Sequence, residues 1–182
     1  DTLLIFTSDN GGERFSDMGP LQHGKMTLWE GGIRVPAMAR WPGVIPAGTV
    51  STQVVTTLDW TATLLSAAGV SQHASSPPDG VDALPQLSGA RSVARERYWR
   101  IHQRRQQKAV RSGDWKYLRT EDGEWLFDVA ADPGESRDRK ADEPATFARL
   151  VSLLAAWEAG MLPPIPLDPA FSLAPQRRAG NI

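Results

Sequence analysis

The sequence predicts an α/β fold in which the end of a larger mixed sheet is followed by a small antiparallel sheet packed with an amphipathic helix. Three observations carry that expectation. Residues 2–7, T-L-L-I-F-T, are a continuous apolar and β-branched run, the pattern of a strand buried on both faces near the centre of an α/β sheet. Residues 98–128 break into four short strand-like runs separated by turn signals. Phe147, Leu150, Val151, Leu154 and Trp157 then recur at helical spacing.

Taken in order, the strand at residues 2–7 needs neighbours. The rest of the chain offers little that reads as a parallel partner, so part of this fold is expected to lie outside these 182 residues. Residues 11–24 form a loop containing several glycines and Pro20. After Gly31-Gly32, residues 33–41 read as a strand, with Pro36 excluding a fully paired central position unless it sits at a bulge. Pro42-Gly43 and Pro46-Ala47-Gly48 are turns. Asp59 precedes a helix over residues 60–69, as its N-cap and nothing more, and Gly69 stops it. Residues 71–82, rich in Ser, Pro, His and Gly, read as an exposed linker. Strands follow at 98–102, 108–111, 115–119 and 125–128. Ser112-Gly113-Asp114 and Glu121-Asp122-Gly123 mark turns of an antiparallel meander. A helix over 144–159 covers one face of it, and a proline-rich tail follows Gly160.

Composition narrows the function. With 41% hydrophobic and 23% charged residues, the chain has the balance of a soluble globular protein, and seven tryptophans supply large buriable area. The absence of cysteine excludes disulfides, zinc–thiolate sites and a cysteine nucleophile within the chain. A net charge of −1 gives no whole-chain field for nucleic acid or an anionic membrane, and the basic residues between 91 and 111 read as a solvated face. No apolar run approaches the roughly 20 residues a membrane helix needs.

Candidate chemistry gathers near the start. Asp9 and Asn10 stand just past the first strand, where open α/β sheets place ligands. A carboxylate and an amide carbonyl are hard oxygen donors suited to Ca²⁺ or Mg²⁺. Gly11-Gly12 would let backbone approach closely and adopt positive φ. The same residues also describe a simple tight turn, and two donors fall short of the six to eight calcium takes, so further donors must come from elsewhere. Lys25, in a glycine-bearing loop, can bind an anion and steady charge developing on a leaving oxygen, or be a solvated lysine. His23, two residues away, can bind an anion or act as an acid, or be an exposed loop histidine. Glu30 and Arg34 are read as a structural ion pair across the glycine turn.

The segments I-F-T-S-D-N-G-G, P-L-Q-H-G-K-M-T-L-W-E-G-G-I-R-V-P-A, R-W-P-G-V-I-P-A-G-T-V, T-T-L-D-W-T-A-T-L-L-S-A-A-G, D-G-V-D-A-L-P-Q-L-S-G, A-V-R-S-G-D-W-K-Y-L-R and W-L-F-D-V-A-A-D-P-G-E-S-R-D stand in this order. Together they closely resemble the type I sulfatase (arylsulfatase) family of the alkaline phosphatase superfamily. The resemblance covers nearly the whole chain except the tail. It implies that residues 1–96 are the C-terminal part of the α/β catalytic domain, 97–160 a small sheet-plus-helix subdomain, and 161–182 a tail. It implies that Asp9 and Asn10 ligate an active-site divalent cation, usually calcium, and that Lys25 contacts the sulfate and the ester oxygen. His23 inherits no role from the family, standing where many relatives have glycine; it is kept as a substrate-binding candidate. Met26 departs from another frequent glycine. The family's nucleophile is a formylglycine made from C-x-P-x-R or S-x-P-x-R. Neither motif is present: in S-L-A-P-Q-R, Ser172 is one residue too far from Pro175 and Leu173 occupies the position required. The expected whole is therefore a sulfatase acting on a sulfate ester, with the formylglycine and remaining metal ligands in an N-terminal part of the same protein. The isolated chain is expected to be an inert module. A phosphonate monoester hydrolase or phosphodiesterase of the same superfamily is the alternative.

Overall fold

A computed structural model describes residues 2–13, 15–70, 75–102 and 105–165. The start of the linker at 71–74 and the S-L-A-P-Q-R segment lie outside the described residues. The fold is mixed α/β with antiparallel sheets and helices. Among the described residues no helix is long and apolar enough to cross a membrane.

Strand β1 (Leu4–Thr7) pairs antiparallel with β2 (Ala37–Arg40), Phe6 opposite Met38. The expected burial on both faces is not met among the described residues: Leu4, Phe6 and Met38 are each 60% exposed, and there β1 and β2 form a two-stranded sheet. The strand expected at 33–41 is shorter. Its first residues close a one-turn helix, α1 (Glu30–Ile33), and pairing begins immediately after Pro36, whose missing N–H cannot join a ladder.

Helix α2 (Thr57–Ala67) starts earlier than the sequence implied. Thr56 is the N-cap, and Asp59 occupies the third helical position of a capping box, accepting the Thr56 N–H at 2.8 Å. Gly69 ends it as expected, with φ +66° and its N–H bonded to the Ser66 carbonyl. A short helix, α3 (Leu84–Leu87), follows within the stretch the sequence left unassigned.

The meander forms as read. β3 (Glu96–His102), β4 (Gln106–Ser112), β5 (Trp115–Thr120) and β6 (Gly123–Asp128) pair antiparallel in sequence order, and α4 (Pro144–Ala159) begins on Pro144 at a position that needs no N–H. Register aligns Tyr98, Val110, Tyr117 and Leu126 in one row. This face packs on Leu150, Leu154, Phe147 and Trp157 of α4, with Tyr98 stacked on Trp157 at 5.2 Å and Tyr117 edge-on to Phe147. Burial pushes the Tyr117 phenol up to about 12. The opposite face presents Trp99, Ala109, Leu118 and Phe127, and receives Leu28, Trp29 and Ile33 from the first third of the chain. That docking positions the candidate site.

Candidate functional site

The chain bends at residues 9–11 as it leaves β1, and the Ser8 hydroxyl donates to the Asn10 carbonyl at 2.8 Å across that bend. Asp9 is exposed and Asn10 half-buried. The Gly11 N–H then donates to the Gly32 carbonyl at 2.8 Å, and the Lys25 N–H to the Gly12 carbonyl at 2.9 Å. Two main-chain bonds thus hold the bend carrying both oxygen donors against the loop carrying the ammonium. The glycines make this approach possible. A Cβ on Gly11 would fall 1.8 Å from the Gly31 oxygen, and one on Gly31 2.1 Å from the Gln22 oxygen. Close approach is the whole of their use: neither Gly11 nor Gly12 adopts the positive φ anticipated from the sequence.

Around Lys25, positive φ appears instead at residues with side chains. His23 has φ +59° and Met26 φ +71°, so both neighbours of the Gly24-Lys25 pair are left-handed. Such a conformation costs an L-residue about 1–2 kcal/mol. The loop is held in it by Thr27, whose N–H and hydroxyl both donate to the Gly24 carbonyl, at 3.2 and 2.7 Å. The His23 ring lies 4.4 Å from Trp29, which packs on Trp125 and Phe127. Burial lowers the His23 pKa, the Arg105 guanidinium pushes the same way, and Asp122 opposes them. Together these favour the neutral imidazole. Lys25 is half-exposed, and its ammonium sits 3.2 Å from the Glu13 carboxylate. Sequence reading did not find that partner.

Behind the loop lies a buried charged group that sequence reading also missed. Glu30 makes the expected pair with Arg34, at 3.7 Å. Yet Glu30 is buried, and Lys116, fully buried on β5, stands 2.9 Å from it and 2.8 Å from Glu135. The second Glu135 oxygen accepts the Glu30 N–H at 2.6 Å, and the Gln107 side chain accepts the Leu28 N–H at 2.8 Å. Burial raises the Glu135 pKa, and Lys116 opposes the rise. A signal existed: in W-K-Y-L-R, Lys116 shares the face of Leu118, so alternation places a lysine on an inward position.

Asp59 also exceeds the cap assigned to it. It is 1% exposed and accepts Val81 N–H at 2.9 Å and the Arg95 guanidinium at 2.5 Å, with Arg97 at 3.9 Å. Burial alone would raise its pKa; the Val81 and Thr56 hydrogen bonds and Arg95 outweigh that and hold it below the ordinary value. The residue fastens α2 to the start of the meander.

The donor chemistry at Asp9 and Asn10 fits part of an oxygen-ligated Ca²⁺ or Mg²⁺ site. Among the described residues, no three His, Cys, Asp or Glu side chains gather as a metal set.

Comparison with known proteins agrees with the ordered motifs. The family model described as Sulfatase matches residues 1–70. N-acetylgalactosamine-6-sulfatase of Canis lupus familiaris is 43% identical over 101 residues, covering 52% of this chain and 19% of its own. Arylsulfatase A of Bos taurus is 38% identical over 155 residues, covering 79% of this chain and 30% of its own. The crystal structure of Ps i-CgsB superimposes with a TM-score of 0.77 at 28% identity, over 85% of this chain and 36% of that one. The chain thus spans about a fifth to a third of the length of the relatives it matches by sequence.

Proposed function

Because the chain belongs to the sulfatase family, we propose that it is the C-terminal portion of an enzyme that hydrolyses sulfate esters. The observation that carries the site assignment is the pair of main-chain bonds tying the Asp9-Asn10 bend to the Lys25 loop. Asp9 and Asn10 donate two oxygens to a divalent cation, Ca²⁺ or Mg²⁺, whose other ligands come from residues beyond this chain. When bound, the cation supplies fixed positive charge for the sulfate oxygens, and a formylglycine from the remainder of the protein supplies the nucleophile. Lys25 binds the sulfate and, as the ester bond to sulfur lengthens, places its ammonium against the charge growing on the departing oxygen. That charge is absent in the ground state, so the interaction strengthens in the transition state and raises kcat. Glu13 holds the ammonium until the anion replaces it. His23, in its neutral form, offers one donor and one acceptor to the alcohol half of the ester. The relatives' names point to a sulfated sugar or aryl sulfate as substrate.

The test uses the full-length protein. Lys25→Ala is expected to lower kcat on an aryl sulfate by about 10²-fold; an undiminished kcat removes the role. Parallel assays with an aryl phosphonate monoester and an aryl phosphate diester are expected to give lower kcat/KM than the sulfate. The reverse order would assign the protein to the phosphonate and diester hydrolases.

A further inference from the structure

Resting on that reading, we infer that Lys116 and Glu135 are positioning residues for Lys25, acting through the backbone of the loop that carries it. Lys116 sits on β5, a strand paired on both edges by β4 and β6, so its stem is fixed by the most enclosed part of the sheet. It stands between two buried carboxylates, Glu30 and Glu135. Glu135 does two things at once. One oxygen faces Lys116 at 2.8 Å, and the other takes the Glu30 N–H at 2.6 Å, which fixes where α1 begins. Its own backbone is left-handed, φ +53°, as the chain turns to bring that carboxylate inward. Gln107 grips the loop two residues earlier, at the Leu28 N–H. Gln107 of β4 and Glu135, in the turn beyond β6 and paired with Lys116 of β5, therefore hold the loop at positions three and five beyond Lys25, while Lys25 itself is bonded to Gly12. Between those grips and the Asp9-Asn10 bend the loop has no slack. Gly31 and Gly32 leave no room for a methyl group against Gln22 and Thr27.

Physical reasoning favours position over stability as the use of this triad. A buried ion pair contributes little net stability compared with apolar residues of the same shape, because desolvation offsets the attraction. What it adds here is direction: a wrongly seated loop would leave charges unpaired inside the protein.

The experiment compares Glu135→Gln, Lys25→Ala and the double variant in the full-length protein on an aryl sulfate. Glu135→Gln preserves volume and is expected to lower kcat by about ten-fold with KM within about two-fold, a small misplacement at a reacting group being sufficient for that. In the Lys25→Ala background the same substitution is expected to change kcat by less than about two-fold, since residues acting through one another do not add. An undiminished Glu135→Gln, or an equal loss in both backgrounds, overturns the inference and leaves the functional reading standing. An undiminished Lys25→Ala overturns both. If Glu135→Gln does not fold, Lys116→Met/Glu135→Gln, which removes that ion pair and leaves Glu30 to Arg34 and Arg111, takes its place with the same outcomes. Failure of that variant to fold assigns the triad to stability and overturns the inference.

Discussion

On one face of the β3–β6 sheet, Val110, Tyr117 and Leu126 meet Leu150 and Leu154 of α4. On the other, Gln107, Lys116 and Arg97 reach residues 28–59 through ion pairs and hydrogen bonds. Both faces bury apolar side chains, Leu118 and Phe127 meeting Leu28 on the second, but that second face adds buried ion pairs and directional hydrogen bonds. The helix face needs area removed from water, and apolar side chains supply it at about 25 cal/mol per Å² with little directional demand. The loop face must seat one particular backbone conformation, and hydrogen bonds have direction where hydrophobic contact has none. Arg97 illustrates the second case: its guanidinium donates to the Val54 carbonyl at 2.7 Å and lies 3.9 Å from Asp59. The sheet carries an apolar core on both sides, and on the loop side a set of directional ties as well.

The comparison can be broken from either side. The largest effect on stability is expected at the helix face, where Leu150→Ala removes a fully buried side chain and should cost about 2–5 kcal/mol by urea denaturation. The folded variant should keep its kcat. A loss of kcat matching that of Glu135→Gln would erase the distinction between the faces. Next comes Asp59→Asn, expected to cost about 1–3 kcal/mol at pH 7 by leaving Arg95 without its charged partner. Here pH sharpens the test. The folded Asp59 pKa is below the ordinary 3.8, so the unfolded chain takes up the proton first as pH falls. The wild-type advantage should therefore be full well above pH 3.8 and vanish as pH drops through the lower, folded value. An advantage that does not shrink on acidification would show that the carboxylate charge is not what holds Arg95. The smallest effect is expected at Met26→Gly. Met26 is 50% exposed with φ +71°, so glycine relieves strain while sacrificing little burial. A gain of about 0.5–1 kcal/mol is expected, read as a rise in Tm. A loss would mean that Met26 packs against something the chain alone does not provide.

Local signals were legible where local forces decide. The periodicity of Phe147, Leu150, Leu154 and Trp157 and the proline at the start gave α4 in full, and Gly113 and Gly123, both at positive φ, marked the β4–β5 and β5–β6 turns of the meander. The ordered motifs identified the family. Asp9, Asn10 and Lys25 could be named as candidates because carboxylate, amide and ammonium beside glycines carry recognisable chemistry. What could not be read were partners distant in sequence. Glu30 is 86 residues from Lys116 and 105 from Glu135, so no window contains the triad. Asp59 looked like a cap because its ties to Val81 and Arg95 lie 22 and 36 residues away. The one-turn helix at Glu30–Ile33 is too short for periodicity to reveal.

By itself the sequence determined the meander, its covering helix and the turn glycines, and it named the candidate site side chains, because propensity, alternation and functional-group chemistry are properties of neighbouring residues. Only the tertiary structure decided that a buried lysine would face two glutamates and that Gly11 and Gly12 would serve contact rather than positive φ. It also decided that Lys25 would be seated from behind by a sheet eighty residues downstream. Those outcomes depend on which surfaces meet once the chain closes on itself, and desolvation assigns each buried charge a partner only at that stage.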